Sequence, residues 1–186
     1  IQSVGAALVP INTRYKPGEA AYPLQKTKAK MLFTADGFMG IEGEAVVAKI
    51  RQEGGPDIRI ININGDEAKE NSLSSFLSSA ESSDDDYRAH NFKDISASTL
   101  CDIMFTSGST GKPKGVRHLH GPTVRQTFNT IEENNLTDTD RMLVINPFFH
   151  VFGYTGGWVP ALFSGATVYP LPVFDVDQVL ELIQDQ

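Results

Sequence analysis

An α/β fold is what this sequence predicts, and two observations predict it: short apolar runs alternate with segments of helical period, and the runs are rich in the residues that fill buried strands. Strand-like runs are expected at Ala7–Ile11, Lys30–Thr34, Ile58–Ile63, Leu100–Thr106, Val116–Leu119, Arg141–Ile145 and Ala166–Tyr169. Helical patterns are expected over 17–28, 41–53, 123–135, 152–163 and 175–186. Alternation of this kind means a sheet covered by helices on both faces.

Taken in order, the first helical pattern contains Pro23, which removes a donor and crowds the preceding turn, so a late start or a kink is expected there. Residues 64–99 are dominated by serine and acid, including Ser82-Ser83-Asp84-Asp85-Asp86, and read as a solvated connection around one short amphipathic helix, Leu73–Ala80. The last pattern, from Asp175, reaches Gln186 without a stop signal, and the first residues read as if inside a helix. The chain is therefore expected to be truncated at both ends.

Composition narrows the function classes. With 16 basic and 23 acidic residues the formal charge is −7, and the isoelectric point is near 5.0. No basic field is present to attract nucleic acid. No run of about 18 apolar residues suggests a transmembrane segment. A single cysteine, Cys101, excludes an internal disulfide and fits a reducing compartment, so a cytoplasmic location is expected. Lying in an apolar run, Cys101 is read as a buried small hydrophobe and given no chemistry.

Directly behind that run lies Thr106-Ser107-Gly108-Ser109-Thr110-Gly111-Lys112-Pro113-Lys114-Gly115. Hydroxyls, glycines and lysines together make a polyphosphate clamp. Glycines let backbone amides approach phosphate oxygens, hydroxyls add donors, and lysine adds charge. Gly-x-x-x-x-Gly-Lys-Ser/Thr does not fit, because Gly108 and Gly111 are too close and Pro113 follows Lys112. An ordinary nucleotide hydrolase is disfavoured. Val116–Leu119 reads as a strand, so the segment is expected to join two strands of a hairpin.

The run Thr106–Val116, with His120 after it, resembles the phosphate-binding signature of the adenylate-forming (AMP-binding) enzymes. Gly5-Ala6-Ala7-Leu8-Val9-Pro10-Ile11-Asn12 is similar to an early strand of that superfamily, and Asn146-Pro147-Phe148-Phe149-His150-Val151-Phe152-Gly153 to the segment beside its carboxylate substrate. Gly165-Ala166-Thr167-Val168 extends the likeness over nearly the whole chain. The resemblance implies that residues 1–186 are part of the large N-terminal domain of such an enzyme, a mixed sheet flanked by helices. It implies ATP-dependent activation of a carboxylic acid to an acyl adenylate, then thioester formation with CoA, with Mg²⁺ bridging phosphate oxygens.

Residue by residue, the resemblance puts Thr106, Ser107, Gly108, Ser109, Thr110, Gly111, Lys112 and Lys114 on ATP, with Lys114 favoured over Lys112 as the catalytic lysine. It puts His150 at the reacting carboxylate, orienting it, because an ionised acid needs no general base at pH 7. Phe149, Gly153 and Tyr154 join His150 at the acyl site. From the residues alone, Gly153, Gly156 and Gly157 among aromatics describe a pocket and a tightly packed core equally well. His118 and Arg117 read as surface or packing residues. The family that the sequence resembles often has Ser or Thr immediately before the position of His120; here Leu119 stands instead, so Pro122 and Thr123 are expected to start the next helix.

Asn12 and His150 favour a CoA ligase over a peptide-synthetase adenylation domain, and a luciferase-like oxidation is a smaller rival. A non-catalytic fragment that holds ATP or pyrophosphate is the alternative from another class, since the motifs for ribose and for the adenylation lysine have no counterpart in these residues. Which acid is activated stays open.

Overall fold

The computed structural model describes residues 1–81, 95–106 and 111–185. The chain divides into two compact units. One comprises Ile11–Phe92 and Phe105–Gly115, and the other Ile1–Pro10, Lys93–Met104 and Val116–Gln186.

In the first unit, helix α1 (Pro17–Thr27) is followed by strand β1 (Met31–Thr34), helix α2 (Gly43–Gln52), strand β2 (Arg59–Asn62) and helix α3 (Leu73–Glu81). β1 and β2 pair in parallel, Met31 against Arg59 through Thr34 against Asn62. Their core holds Ala20, Ala21, Leu24, Val46, Val47, Ile50, Ile58 and Ile60. Full burial of an aliphatic side chain such as Ile50 contributes about 1.5–3 kcal/mol.

α1 corrects the expectation at Pro23. The helix begins on time, with Pro17 in its first turn and Glu19 Oε2 accepting from Lys16 N at 2.8 Å, and it runs unbroken past Pro23. The Pro23 ring is fully buried. That burial offsets the hydrogen bond which a proline cannot make. Within the stretch expected to be solvated, Ser72 is buried and bridges to Asn62, and α3 forms where an amphipathic helix was expected. Residues 82–94 of that stretch lie outside the described residues.

In the second unit, helix α4 (His120–Asn134), strand β5 (Arg141–Val144), a helical turn α5 (Val151–Gly153), a π-helical turn (Tyr154–Trp158), helix α6 (Val159–Ser164), strand β6 (Thr167–Pro170) and helix α7 (Val176–Asp185) follow one another. β5 and β6 pair in parallel from Arg141 against Thr167 to Val144 against Pro170. Met104, Tyr154 and Val159 form a buried cluster, with Leu8 and Trp158 packed against it.

Strands β3 (Leu100–Thr106) and β4 (Lys114–Leu119) pair with each other. Seven intervening residues are too few for a parallel crossover, so the pair is the expected hairpin. Ala7–Ile11 is not a full strand. Among the described residues it makes one bridge, Leu8 to Asp102, with Leu8 N donating to Cys101 O and Ile103 N donating to Leu8 O, and Pro10 has no N–H to extend the ladder.

α4 starts at His120, not at Pro122 or Thr123. No side chain caps it; instead His120 N donates to Thr99 O and Gly121 N to Ala97 O. Tertiary carbonyls thus satisfy the first amides that a capping side chain would otherwise take. Glycine at 121 permits this, because a Cβ would lie 2.8 Å from that of Ala97.

Candidate active site

The β3–β4 hairpin brings the two ends of the Gly/Ser/Lys segment together. β3 is a largely apolar run in which Cys101, Asp102 and Met104 are buried, whereas Thr106 at its end is exposed. Thr106 Oγ1 donates to Lys114 O at 3.5 Å across the base of the segment. Gly111 has φ +92°, a left-handed backbone that disfavours any side chain, and among the described residues nothing lies within 4 Å of where a Cβ would be. Ser107, Gly108, Ser109 and Thr110 lie outside the described residues.

The two lysines differ in surroundings. Lys112 Nζ sits 5.9 Å from the centre of the Tyr22 ring, and that ring meets Phe105 edge-on at 6.2 Å. Lys114, the first residue of β4, is exposed. Among the described residues no carboxylate pairs with either lysine.

Phe149, His150, Gly153 and Tyr154 belong to the other unit and follow β5 closely in sequence. His150 N donates to Pro147 O, and His150 O accepts from Tyr154 N. The exposed imidazole caps α5, its Nδ1 accepting from Phe152 N at 3.3 Å, and it stacks on the Phe152 ring at 5.8 Å. An accepting Nδ1 leaves the proton on Nε2, so the outer edge of the neutral ring is a donor. Phe149 is half-buried.

The glycines here serve packing. A Cβ on Gly153 would run into the carbonyl oxygens of Asn146 and Pro147, and one on Gly157 would lie 3.0 Å from Val144 Cγ1. Gly156 has only distant neighbours. Tyr154 is 2% exposed and its hydroxyl accepts from Gln2 Nε2 at 2.6 Å. It stands inside the core cluster, with Trp158 edge-on at 5.3 Å.

A buried polar cluster escaped the sequence reading. Asp102, fully buried on β3, holds His118 of β4: Oδ1 to Nδ1 is 2.6 Å. The signal was present, since a carboxylate in so apolar a run needs a partner; the identity of that partner required the strand pairing. Gln2 Nε2 also approaches Cys101 Sγ at 2.9 Å. Burial, then the nearby Asp102 carboxylate, pushes the Cys101 thiol up to about 11. Burial likewise pushes Tyr154 up to about 12, against the opposing Gln2 hydrogen bond. Asp102 Oδ2 and His120 Nε2 are buried with no hydrogen-bond partner among the described residues.

A cleft of about 340 Å³ lined by Arg141, Leu143, Tyr169 and Ile183 among others contains none of the residues singled out from sequence. Among the described residues, no three His, Cys, Asp or Glu side chains gather as a metal site, and no helix is long and apolar enough to cross a membrane.

Comparison with known proteins matches residues 1–186 to the family model described as AMP-binding enzyme. The chain is 37% identical, over its full length, to the 3-[(3aS,4S,7aS)-7a-methyl-1,5-dioxo-octahydro-1H-inden-4-yl]propanoyl:CoA ligase of Rhodococcus jostii (strain RHA1), and spans 37% of that relative. Its fold is similar to the inhibitor-bound N-terminal domain of FACL13 from Mycobacterium tuberculosis, with a TM-score of 0.71 and 26% identity over 98% of this chain and 42% of that one. ATP-bound MatB from Rhodopseudomonas palustris shares the fold at a TM-score of 0.68 and 21% identity, covering 96% of this chain and 32% of that one.

Proposed function

The chain belongs to the AMP-binding enzyme family, and we propose that the protein carrying it is an acyl-CoA synthetase, in which residues 1–186 are part of the adenylation domain and 64–99 a largely solvated connection within it. The observation that carries this reading is the hydroxyl-, glycine- and lysine-rich segment held on a two-stranded stem, Thr106 at one end and Lys114 at the other. The R. jostii relative supports CoA as the acceptor, and the MatB likeness is consistent with ATP as the nucleotide.

In the proposed reaction a carboxylate oxygen attacks the α-phosphorus of ATP, the bond to the pyrophosphate oxygen breaks, and pyrophosphate leaves. The thiol of CoA then attacks the acyl carbon and expels AMP. Two anions must meet while the leaving group gains charge, so fixed donors lower the first barrier electrostatically. Thr106, Ser107, Gly108, Ser109, Thr110 and Gly111 are the proposed donors, with Lys114 favoured over Lys112 as the source of positive charge at the phosphates. Mg²⁺ bound together with the nucleotide would offset part of the phosphate charge.

His150 is proposed to meet the acid's carboxylate through Nε2–H, since Nδ1 is occupied by Phe152 N. Phe149 and Gly153 would flank it, and Tyr154 would contribute by packing behind them. The bicyclic propanoate named for the R. jostii relative is the first acid to try. The test is acid-dependent exchange of labelled pyrophosphate into ATP, followed by mass detection of the acyl-CoA, with the intact protein and a panel of aromatic, alicyclic and fatty acids. Exchange with at least one acid and transfer to CoA are expected; no exchange with any acid refutes the reading, and transfer only to a carrier-protein thiol refutes the choice of acceptor.

A further inference from the structure

The two lysines of the segment differ in surroundings, and a residue of α1 accounts for the difference. Tyr22 is half-buried, and its helix neighbours Ala21, Pro23 and Leu24 are locked in the first unit's core. Its ring is therefore a fixed post. That ring meets both sides of the segment: Phe105, next to last in β3, edge-on at 6.2 Å, and Lys112, two residues before β4, with Nζ 5.9 Å from the ring centre. An ammonium within about 6 Å of an aromatic centre is attracted by the negative face of the ring. Neither contact uses the Tyr22 hydroxyl.

We infer that Tyr22 is a positioning residue for this segment: it ties down Lys112 and leaves Lys114 as the lysine that meets phosphate. The inference rests on reading the segment as the ATP-binding loop. A lysine laid on a ring has its arm committed, whereas Lys114 is exposed with no acidic partner among the described residues. Holding Lys112 and Phe105 on one post also restricts the two ends of the segment before ATP arrives, which lowers the ordering cost of binding.

The test uses the intact protein with its lysines ¹³C-methylated, the Lys112 signal being assigned by its loss in Lys112→Gln. A ring-current shift of that signal is expected in the wild type and in Tyr22→Phe, and its disappearance in Tyr22→Leu. In unmethylated protein, Tyr22→Leu should raise KM for ATP about two- to fivefold, the worth of an exposed cation–π contact, with KM for the acid unchanged. Tyr22→Phe should restore the wild-type value, and Lys112→Gln combined with Tyr22→Leu should cost no more than either alone. An unshifted Lys112 signal, additive effects, or equal changes in both KM values overturn the inference. The lysine signal needs no nucleotide. Absence of pyrophosphate exchange in the wild type therefore overturns the enzymatic reading, and the role given to Lys114 with it, while an unshifted signal overturns the assignment of Tyr22 alone.

Discussion

His118 and Asp102 face each other across the β3–β4 hairpin, Nδ1 to Oδ1 2.6 Å, with the carboxylate fully buried and the imidazole side chain 29% exposed. Sixteen residues separate them in sequence. Asp102 Oδ2 has no partner among the described residues, so the carboxylate meets His118 through Oδ1 alone.

Removing His118 should accordingly be costly. His118→Ala leaves a buried carboxylate without its partner and is expected to destabilise the protein by about 3 kcal/mol. The double variant Asp102→Asn/His118→Ala should recover part of that loss, since a neutral amide is cheaper to bury than a carboxylate. Urea unfolding of the three proteins decides it; a loss below about 0.5 kcal/mol for His118→Ala, the range of an ordinary surface change, would contradict the role.

Alkaline pH should weaken the fold through Cys101 and Tyr154. Both are held neutral in the folded state, with values raised to about 11 and about 12, while in the unfolded chain they ionise near their ordinary values. Their contribution is fully present below about pH 9 and is lost as pH rises through 11 to 12, at no more than about 1.4 kcal/mol per pH unit for each group. Urea midpoints at intervals from pH 8 to 11 should fall from about pH 9 upward, and Cys101→Ala should move the onset upward. An unchanged onset would show that the thiol is not the group responsible.

Alanine substitutions at three nearby glycines should separate sharply. Gly153→Ala is expected to destabilise by about 1–3 kcal/mol, because its Cβ meets backbone carbonyls that cannot move aside cheaply. Gly157→Ala should cost less, since its nearest contacts, Val144 Cγ1 at 3.0 Å and Phe152 O at 3.2 Å, are longer than those at Gly153, and Gly156→Ala should be near neutral. Thermal melts that rank the three otherwise would refute the packing role.

Lys114→Ala should slow acyl-adenylate formation far more than transfer from a preformed adenylate to CoA, because pyrophosphate leaves in the first step. Loss of one charge-assisted donor at the developing charge corresponds to about 2–4 kcal/mol of barrier. Separate rapid-quench measurement of the two half-reactions is the check. Equal slowing of both counts against a phosphate-specific role.

His150→Ala should raise KM for the acid or lower the adenylation rate by the equivalent of about 1–3 kcal/mol, with little change in ATP affinity. His150→Asn keeps an acceptor for Phe152 N but carries its donor on a shorter amide, so it separates the capping role from the reach of the imidazole Nε2–H. If the asparagine variant behaves as wild type toward the acid, the imidazole Nε2–H is not what holds the carboxylate.

Much of this molecule is legible from local sequence. The bounds of β3, the helix at Leu73, the stem formed by β3 and β4 and the segments that become β1, β2, β5 and β6 all follow from apolar periodicity and turn chemistry, which act over a few residues. Membership of the AMP-binding family was likewise written in the run Thr106–Val116. Tertiary structure decided the rest. It let α1 pass through Pro23 by burying the ring, started α4 at His120 by lending it the carbonyls of Thr99 and Ala97, and reduced Ala7–Ile11 to a single bridge. It chose His118 as the partner of Asp102 and Tyr22 as the rest for Lys112. Local periodicity specifies which face of a helix or strand is buried. Partners far apart in sequence are set by strand register and helix packing, and those exist only once the chain has closed on itself.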